Sequence, residues 1–429
     1  MTKTGGNSQV NESVYANKDF VYSYGWNRVM MHVIGGWPED TDNFFMRNRI
    51  FLNGLALFLF NVLPQLASVP FFWGDFNAVI DYLSLNLAIT LALVELVWLG
   101  IQRSTVQKLL KMMAEDWLMP RTLEEHEEMM KMTKIIRLIS SICFYSTICL
   151  FVAFVLSHML SALALKNDPT VDPKLSNGFL YTCVFPFDTS SLPVFIPIWI
   201  GQFFCSYISM AGYSSPVGFL GMFVFHQCGQ LKLLRLRLEG IVDKETTENR
   251  REFWKKLGKI VERHEQLNER TLEIEENFNQ IFLAAAVDCI FITCTQTFAV
   301  ITLLQTEGTF PVFQMLFLFI CATYDLGHFF VYCLAGDILM TESSNFGVSL
   351  YNSQWYELAP NEVKAVLIFT SRCTRPQKIT GGKFIDLSLP LFAKIVKTAA
   401  SYLSVLLAMK ELFTPGNHRV INVLILKIF

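Results

Sequence analysis

Residues 192–228 read LPVFIPIWIGQFFCSYISMAGYSSPVGFLGMFVFHQC, 37 positions without an acid, lysine or arginine. One helical crossing of a bilayer takes about 20 apolar residues. The stretch is long for one crossing and short for two. Pro216 and the small residues at 212–215 offer a place to break it. The next residues argue against a break. The chain continues GQLKLLRLRL at 229–238, and eleven Lys and Arg fall between 229 and 277. Basic residues that flank spans stay in the cytoplasm. One long, tilted or kinked helix keeps those eleven with the other basic segments, whereas two spans would send them outside.

The rest of the chain agrees with this reading. Apolar runs lie at 50–72, 79–101, 138–165, 192–228, 278–304, 310–336 and 387–413. Of 35 Lys and Arg, five precede the first run, seven lie between the second and third, eleven between the fourth and fifth, and five between the sixth and seventh. The connections of opposite parity, including short turns at 73–75 and 306–308, hold only Lys166 and Lys174. The fold expected is all-α: a seven-span helical membrane protein with a cytoplasmic N-terminus and an extracellular C-terminus. A G-protein-coupled receptor has the same number of spans and the opposite orientation. No Asp/Glu-Arg-Tyr follows the third run and no Asn-Pro-x-x-Tyr ends the seventh.

Composition supports a membrane chain. Of 429 residues, 52% are hydrophobic and 17% charged, where a soluble protein carries nearer 25% charge. The net charge of −2, with no strongly basic domain, argues against nucleic acid as a partner. No signal peptide is evident, so the first span is expected to serve as its own insertion signal. Ten cysteines give no disulfide framework, since only Cys183 falls in an expected external loop. No metal site, cofactor site or enzyme motif of the HExxH, P-loop, GxSxG or GxGxxG kind is present. The amphipathic stripe Phe253, Leu257, Ile260, Val261, Leu267 and Ile274 reads as a helix carrying the fifth span into the cytoplasm, either solvated or packed on a neighbour.

Candidate site residues come from two regions. The outer halves of spans three, four and six are rich in aromatic side chains, among them Phe154, His158, Phe203, Tyr207, Phe313 and Phe317. An apolar pocket with one or two polar handles suits a small volatile ligand, although such stripes also serve as core or lipid-facing surface. Isolated carboxylates occur within spans at Asp81, Glu95, Asp288 and Asp325. A carboxylate at the bilayer centre costs about 2.5–3.5 kcal/mol on insertion scales and usually faces the bundle interior or water. Asp81 and Glu95 lie near the ends of the second run, where solvation at headgroup level is expected, and Asp288 and Asp325 lie deeper. The seventh run differs from the others. Lys394 and Lys397 sit in its first half, while 398–409 is uncharged and rich in Ala, Ser and Thr. That composition suits close helix packing or an uncharged pore lining, and spacing puts Ser401, Val405 and Ala408 on one face.

An ordered set of motifs precedes and enters that run. Tyr332-Cys333-Leu334-Ala335-Gly336 is followed by Glu342-Ser343, Trp355-Tyr356 and then Arg375-Pro376-Gln377-Lys378-Ile379-Thr380-Gly381-Gly382-Lys383-Phe384. Ser388-Leu389, Phe392 and Ser401-Tyr402-Leu403-Ser404-Val405-Leu406 complete it. With this set the chain resembles the insect odorant receptors, as an odour-specific subunit rather than the shared co-receptor, whose loop between spans four and five is longer. The resemblance implies a ligand-gated, non-selective cation channel assembled as a heterotetramer with a co-receptor subunit. It implies a small volatile odorant as ligand, cytoplasmic parts of spans four to seven as the subunit anchor, and the end of span seven as the pore lining. It places Val405 at the hydrophobic gate and Ala408 where the co-receptor has a polar pore residue. The alternatives are a seven-span receptor acting through a G protein and, third, a gustatory receptor of the same superfamily, sharing fold and channel mechanism but with non-volatile ligands.

The expected organisation is a cytoplasmic segment at 1–49, spans one to four with the outer pocket at 50–228, and a helical extension at 229–277. Spans five and six come next at 278–336, then the anchor and start of span seven at 337–397, the pore-lining half at 398–413, and an extracellular tail at 414–429. The sequence holds one N-x-[ST] acceptor, Asn11-Glu12-Ser13, in the segment expected to be cytoplasmic. A glycosylation-shift assay on the membrane-inserted chain should therefore show no modification at Asn11; modification there would reverse the topology.

Overall fold

A segment buried in lipid has to satisfy its own backbone hydrogen bonds, and a helix is how a single segment does so. A computed structural model, which describes residues 17–38, 43–72, 76–165, 178–305 and 312–413, is accordingly helical apart from one small hairpin. Its principal elements are α1 Lys18–Ile34, α2 Arg49–Phe71, α3 Phe76–Ile101, α4 Arg103–Leu118, α5 Leu123–Leu165 and α6 Leu192–Glu239. After these come α7 Arg250–Gln305, α8 Val312–Ser349, α9 Pro360–Cys373, the antiparallel pair β1 Thr380–Gly381 and β2 Ile385–Asp386, and α10 Leu389–Phe413. Asn11, the turns at 73–75 and 306–308, Lys166, Lys174 and the tail at 414–429 lie outside the described residues, and the side chain of Asp81 is likewise not described.

Among the described residues six helices are long and apolar enough to cross a membrane: α2, α5, α6, α7, α8 and α10. A seventh candidate is formed by α3 and α4 together, bent by 67° between Ile101 and Arg103. The seven apolar runs thus coincide with seven helices.

The stretch at 192–228 is one helix, and it does not stop at Cys228. α6 runs 48 residues to Glu239 with Pro197 and Pro216 inside it. At 1.5 Å per residue it is about 72 Å long, more than twice a hydrocarbon core. Every residue from 211 to 231 is buried, because α1, α3, α5, α7 and α8 all pack on it. The small residues at 212–215 therefore do not break the helix. They let neighbours approach: Gly212 lies against Leu96, and the Ser214 hydroxyl is 2.7 Å from Nε2 of His328 on α8. At Gly218 a Cβ would meet the Asn27 side-chain oxygen of α1, so a larger residue there would have to displace that side chain. Pro216 leaves the Gly212 carbonyl without its helical N–H, and beside it Ser215 Oγ donates to Ala211 O at 2.5 Å.

α5, α7 and α8 also extend past their apolar runs toward the same end of the bundle, where the basic residues lie. The stripe on α7 packs inward rather than facing solvent: Phe253, Leu257, Ile260, Leu267 and Ile274 are buried. Val261 is the exception and is exposed, one position round the helix from Ile260 and so off the face. Within the segment at 1–49 an N-terminal helix follows Asn17, whose side chain caps the backbone N–H groups of Asp19 and Phe20. It buries Phe20, Tyr24, Met31 and Ile34 against α5 and α6.

Ion pairs, a buried cluster at Asp116 and a half-exposed pair at Glu125, tie α4, α5, α6 and α7 together at this end. Asp116 of α4 has no exposed side-chain surface. Its Oδ1 accepts from Arg263 at 2.6 Å, and its Oδ2 accepts from Arg270 at 2.5 Å and meets Nε2 of His226 at 2.9 Å. Burial alone would raise the Asp116 carboxyl, but the His226 hydrogen bond and the two guanidiniums outweigh it and hold the group well below the usual carboxylate range. Glu125 of α5 takes both fork nitrogens of Arg237 on α6, at 2.5 and 3.1 Å. Asp116→Ala should leave two guanidiniums buried without their carboxylate, a loss of about 3–5 kcal/mol. A thermal melt of the detergent-solubilised chain should show a clearly lowered Tm for it, and Lys131→Ala, at an exposed helix pair, should show almost none.

Candidate ligand cavity and pore helix

At the end of the bundle away from the basic cluster, α3, α5, α6, α7 and α8 enclose a cavity of about 80 Å³. Its walls are Leu85, Ile89, Leu150, Phe154, Ile292 and Phe317, with hydroxyls from Ser206, Ser209, Tyr213 and Tyr181 and the carboxyls of Asp288 and Asp325. Tyr181 belongs to no helix. The segment carrying it is tied to α6 by Gln202, which accepts from Leu180 N at 3.2 Å and donates to Cys183 Sγ at 3.4 Å. The Tyr181 hydroxyl then donates to Ser206 Oγ at 2.8 Å. The segment before α6 thereby closes the cavity with an aromatic ring.

Of the six aromatic candidates, Phe154 and Phe317 line the cavity. His158 lies one turn beyond Phe154, its ring 4.4 Å from that of Phe154 and 6.0 Å from that of Phe317, so it backs the wall. Phe203 and Tyr207 form a separate set around Phe151, at 5.0 and 5.2 Å. Phe313, one turn before Phe317, is 63% exposed and stands apart. Helical spacing could not separate these cases, because which face of each helix turns inward depends on its neighbours. Tyr181, Ser206, Ser209, Tyr213 and Gln296 carried no signal of their own in the sequence. Asp288 and Asp325 did, as charges within apolar runs, and both reach the cavity. Glu95 is buried on α3 and, like Asp288, has a side-chain oxygen with no hydrogen-bond partner among the described residues.

α10 is a different kind of helix. Only 11% of its apolar window is buried, against 33–44% in the other spans. It leans on α7 and α8. At its start Leu389 N donates to Asp337 of α8 at 3.3 Å, and near its end Lys410 donates to Gln305 of α7 at 2.8 Å. Ser401 and Val405 are exposed, Ala408 half-buried. The hydroxyls of Thr398, Ser401 and Ser404 bond to carbonyls of their own helix, at 2.9, 3.1 and 3.3 Å, so none is committed to another described helix of this chain.

The motif at 375–384 is a docking element rather than a site. Gln377 accepts from Thr271 at 2.8 Å, donates to Asn268 at 2.6 Å, and its backbone N–H donates to Ser343 at 2.9 Å. Thr380 donates to Glu275 at 2.5 Å. The loop so pinned turns the chain from α9 into α10, and Gly336 of α8 leaves room for the Leu387 carbonyl.

The family model for 7tm odorant receptors matches residues 75–400. The chain belongs to the odorant receptor family. Odorant receptor 13a of Drosophila melanogaster is 28% identical over 243 residues, 53% of this receptor and 57% of that protein. The odorant receptor coreceptor of Ooceraea biroi is 31% identical over 87 residues, 20% of this receptor and 18% of that protein. The receptor thus spans little more than half the length of the first of these relatives and a smaller part of the second. The structure of olfactory receptor OR5 from Machilis hrabei in complex with eugenol aligns with a TM-score of 0.71 over 91% of this receptor and 100% of that chain, at 15% identity. At that identity the likeness is one of fold, and it makes this receptor a multi-pass helical membrane protein of the same architecture.

Removing either wall ring should change what the cavity accepts. Phe154→Ala or Phe317→Ala should shift the half-maximal concentration of an activating odorant by roughly three- to tenfold, the size of one lost aromatic contact. Phe313→Ala should leave it unchanged in the same concentration–response assay.

Proposed function

We propose that this receptor is the odour-specific subunit of a ligand-gated, non-selective cation channel. It binds a small volatile molecule in this cavity and pairs with a co-receptor subunit in a heterotetramer. The observation that carries the reading is a shared pair of helices. Asp288, Ile292 and Gln296 on α7 and Phe317, Cys321, Tyr324 and Asp325 on α8 face the cavity, and α7 and α8 are the two helices on which α10 leans. A ligand that favours one packing of α7 against α8 therefore biases the position of α10. The Machilis receptor holds eugenol, a small aromatic molecule, which supports the ligand class.

The uncovered apolar face of α10 is the pore surface in this reading. One chain leaves Val405 54% exposed, and a ring of such side chains from several subunits makes a hydrophobic constriction that gates by dewetting. Ser401 and Ala408 line the same path. The segments at 229–277 and 337–397 form the anchor between subunits on the cytoplasmic side, with 398–413 as the pore-lining half of the seventh span. The N-terminus is cytoplasmic and the C-terminus extracellular, consistent with the charge count, and the protein sits in the cell membrane of olfactory sensory neurons, in the dendrite.

Co-expression with a co-receptor subunit in a cell that lacks both should give odour-evoked cation current, and a broad panel without any current would sink the proposal. Val405→Ala should raise basal current or alter maximal current at unchanged surface level. An identical current–concentration curve would remove Val405 from the gate.

A further inference from the structure

Two carboxylates face the ligand cavity with no cation beside them in the described lining. Asp288 is 3% exposed, and neither of its oxygens has a hydrogen-bond partner among the described residues. Asp325 accepts from the Tyr213 hydroxyl through one oxygen and leaves the other without such a partner. Both residues line the cavity. Glu95 lies within electrostatic range of both. The described lining includes no lysine, arginine or histidine. The nearest histidines are otherwise occupied: His158 stacks behind Phe154, and His328 is bonded to Ser214 and to the Tyr324 carbonyl.

A buried carboxylate is expensive unless paired, and the strongest pairing open to it is a charge-assisted hydrogen bond from an ammonium. The remaining lining is aromatic and aliphatic, with Phe154, Tyr181 and Tyr213 able to pack against an apolar body or against the cation itself. The Tyr213 hydroxyl holds Asp325 and stands beside Asp288, and the Cys289 thiol stands beside Asp325, so the lone pairs these weak donors leave on the two acids are open to a guest.

We propose that the receptor selects small volatile amines: a compact apolar or aromatic skeleton carrying one protonated nitrogen, which donates to Asp288 and Asp325. This rests on the reading of the cavity as the odorant site. The apolar end fills the space between Phe154 and Phe317, and the nitrogen points toward α7 and α8, the helices that carry both acids. An alcohol of the same skeleton makes one hydrogen bond there and brings no charge, and a hydrocarbon leaves the acids as they are. The amine is therefore the strongest agonist of the three.

The test uses 2-phenylethylamine, 2-phenylethanol and ethylbenzene on the receptor co-expressed with a co-receptor subunit, with surface labelling of every variant. The amine should act at a concentration at least about tenfold lower than the alcohol, the factor that 1.4 kcal/mol of differential binding gives. Asp288→Asn should bring the amine-to-alcohol potency ratio down to about one, and Asp325→Asn should reduce it. An amine no more potent than the alcohol in the unmodified receptor overturns the proposal and leaves the odorant-site reading standing. So does an Asp288→Asn receptor, normal at the surface, that keeps the amine preference. If none of the three probes nor a wider odorant panel opens the channel, while a co-receptor agonist does, both the amine proposal and the site reading fall.

Discussion

The burial of α6 on all sides constrains everything else in this molecule. Twenty-one consecutive residues, 211 to 231, are covered, and inside a bilayer that coverage cannot come from the hydrophobic effect, since lipid is as apolar as leucine. It comes from close packing. Gly212, Ser214, Ser215, Gly218 and Gly221 let five helices approach one axis, and hydroxyl contacts such as Ser214 with His328 and the Tyr324 hydroxyl with the Met210 carbonyl, at 2.8 Å, fix their rotation. A bulky side chain at any of these positions pushes a neighbour away along its whole length, because long helices move as rigid rods.

Along that axis the two ends of the bundle do different work. At the basic end, helices protrude past the apolar runs and lock through charge: Asp116 with Arg263, Arg270 and His226, and Glu125 with Arg237. Such pairs are oriented and hydrogen-bonded, so they hold register there. At the other end the packing is looser and encloses a void. Its acids are not neutralised by any cation in the described lining. In the proposed mechanism a ligand at that end biases the packing of α7 against α8, the two helices on which α10 leans.

α10 differs from its neighbours in how little of it is covered. The other spans bury a third or more of their apolar window and α10 buries about a tenth. A helix so exposed, with small residues and with hydroxyls bonded to their own backbone, is the surface that the proposed function assigns to the pore. The docking loop at 375–384 sets where it starts, through Gln377 and Thr380 on α7. That explains why those residues form so recognisable a motif while taking no part in the cavity.

The sequence by itself determined the class of fold, the number of spans and the family resemblance. These come from run length, from the one-sided placement of Lys and Arg, and from local motif order, none of which depends on where distant residues meet. It also marked Asp288 and Asp325, because a charge inside an apolar run is visible in one dimension. The continuity of α6 was legible for the same reason, through the eleven basic residues after it. Which aromatic faces turn inward was not. Phe154 and Phe317 reach the cavity, whereas Phe313, four residues before Phe317 in the chain, is exposed. Tyr181 comes from a segment with no periodicity to read. The tertiary structure decided these because helix rotation is fixed by contacts between residues a hundred or more positions apart, and a bilayer offers no hydrophobic gradient between neighbouring helices from which that rotation could be read in advance.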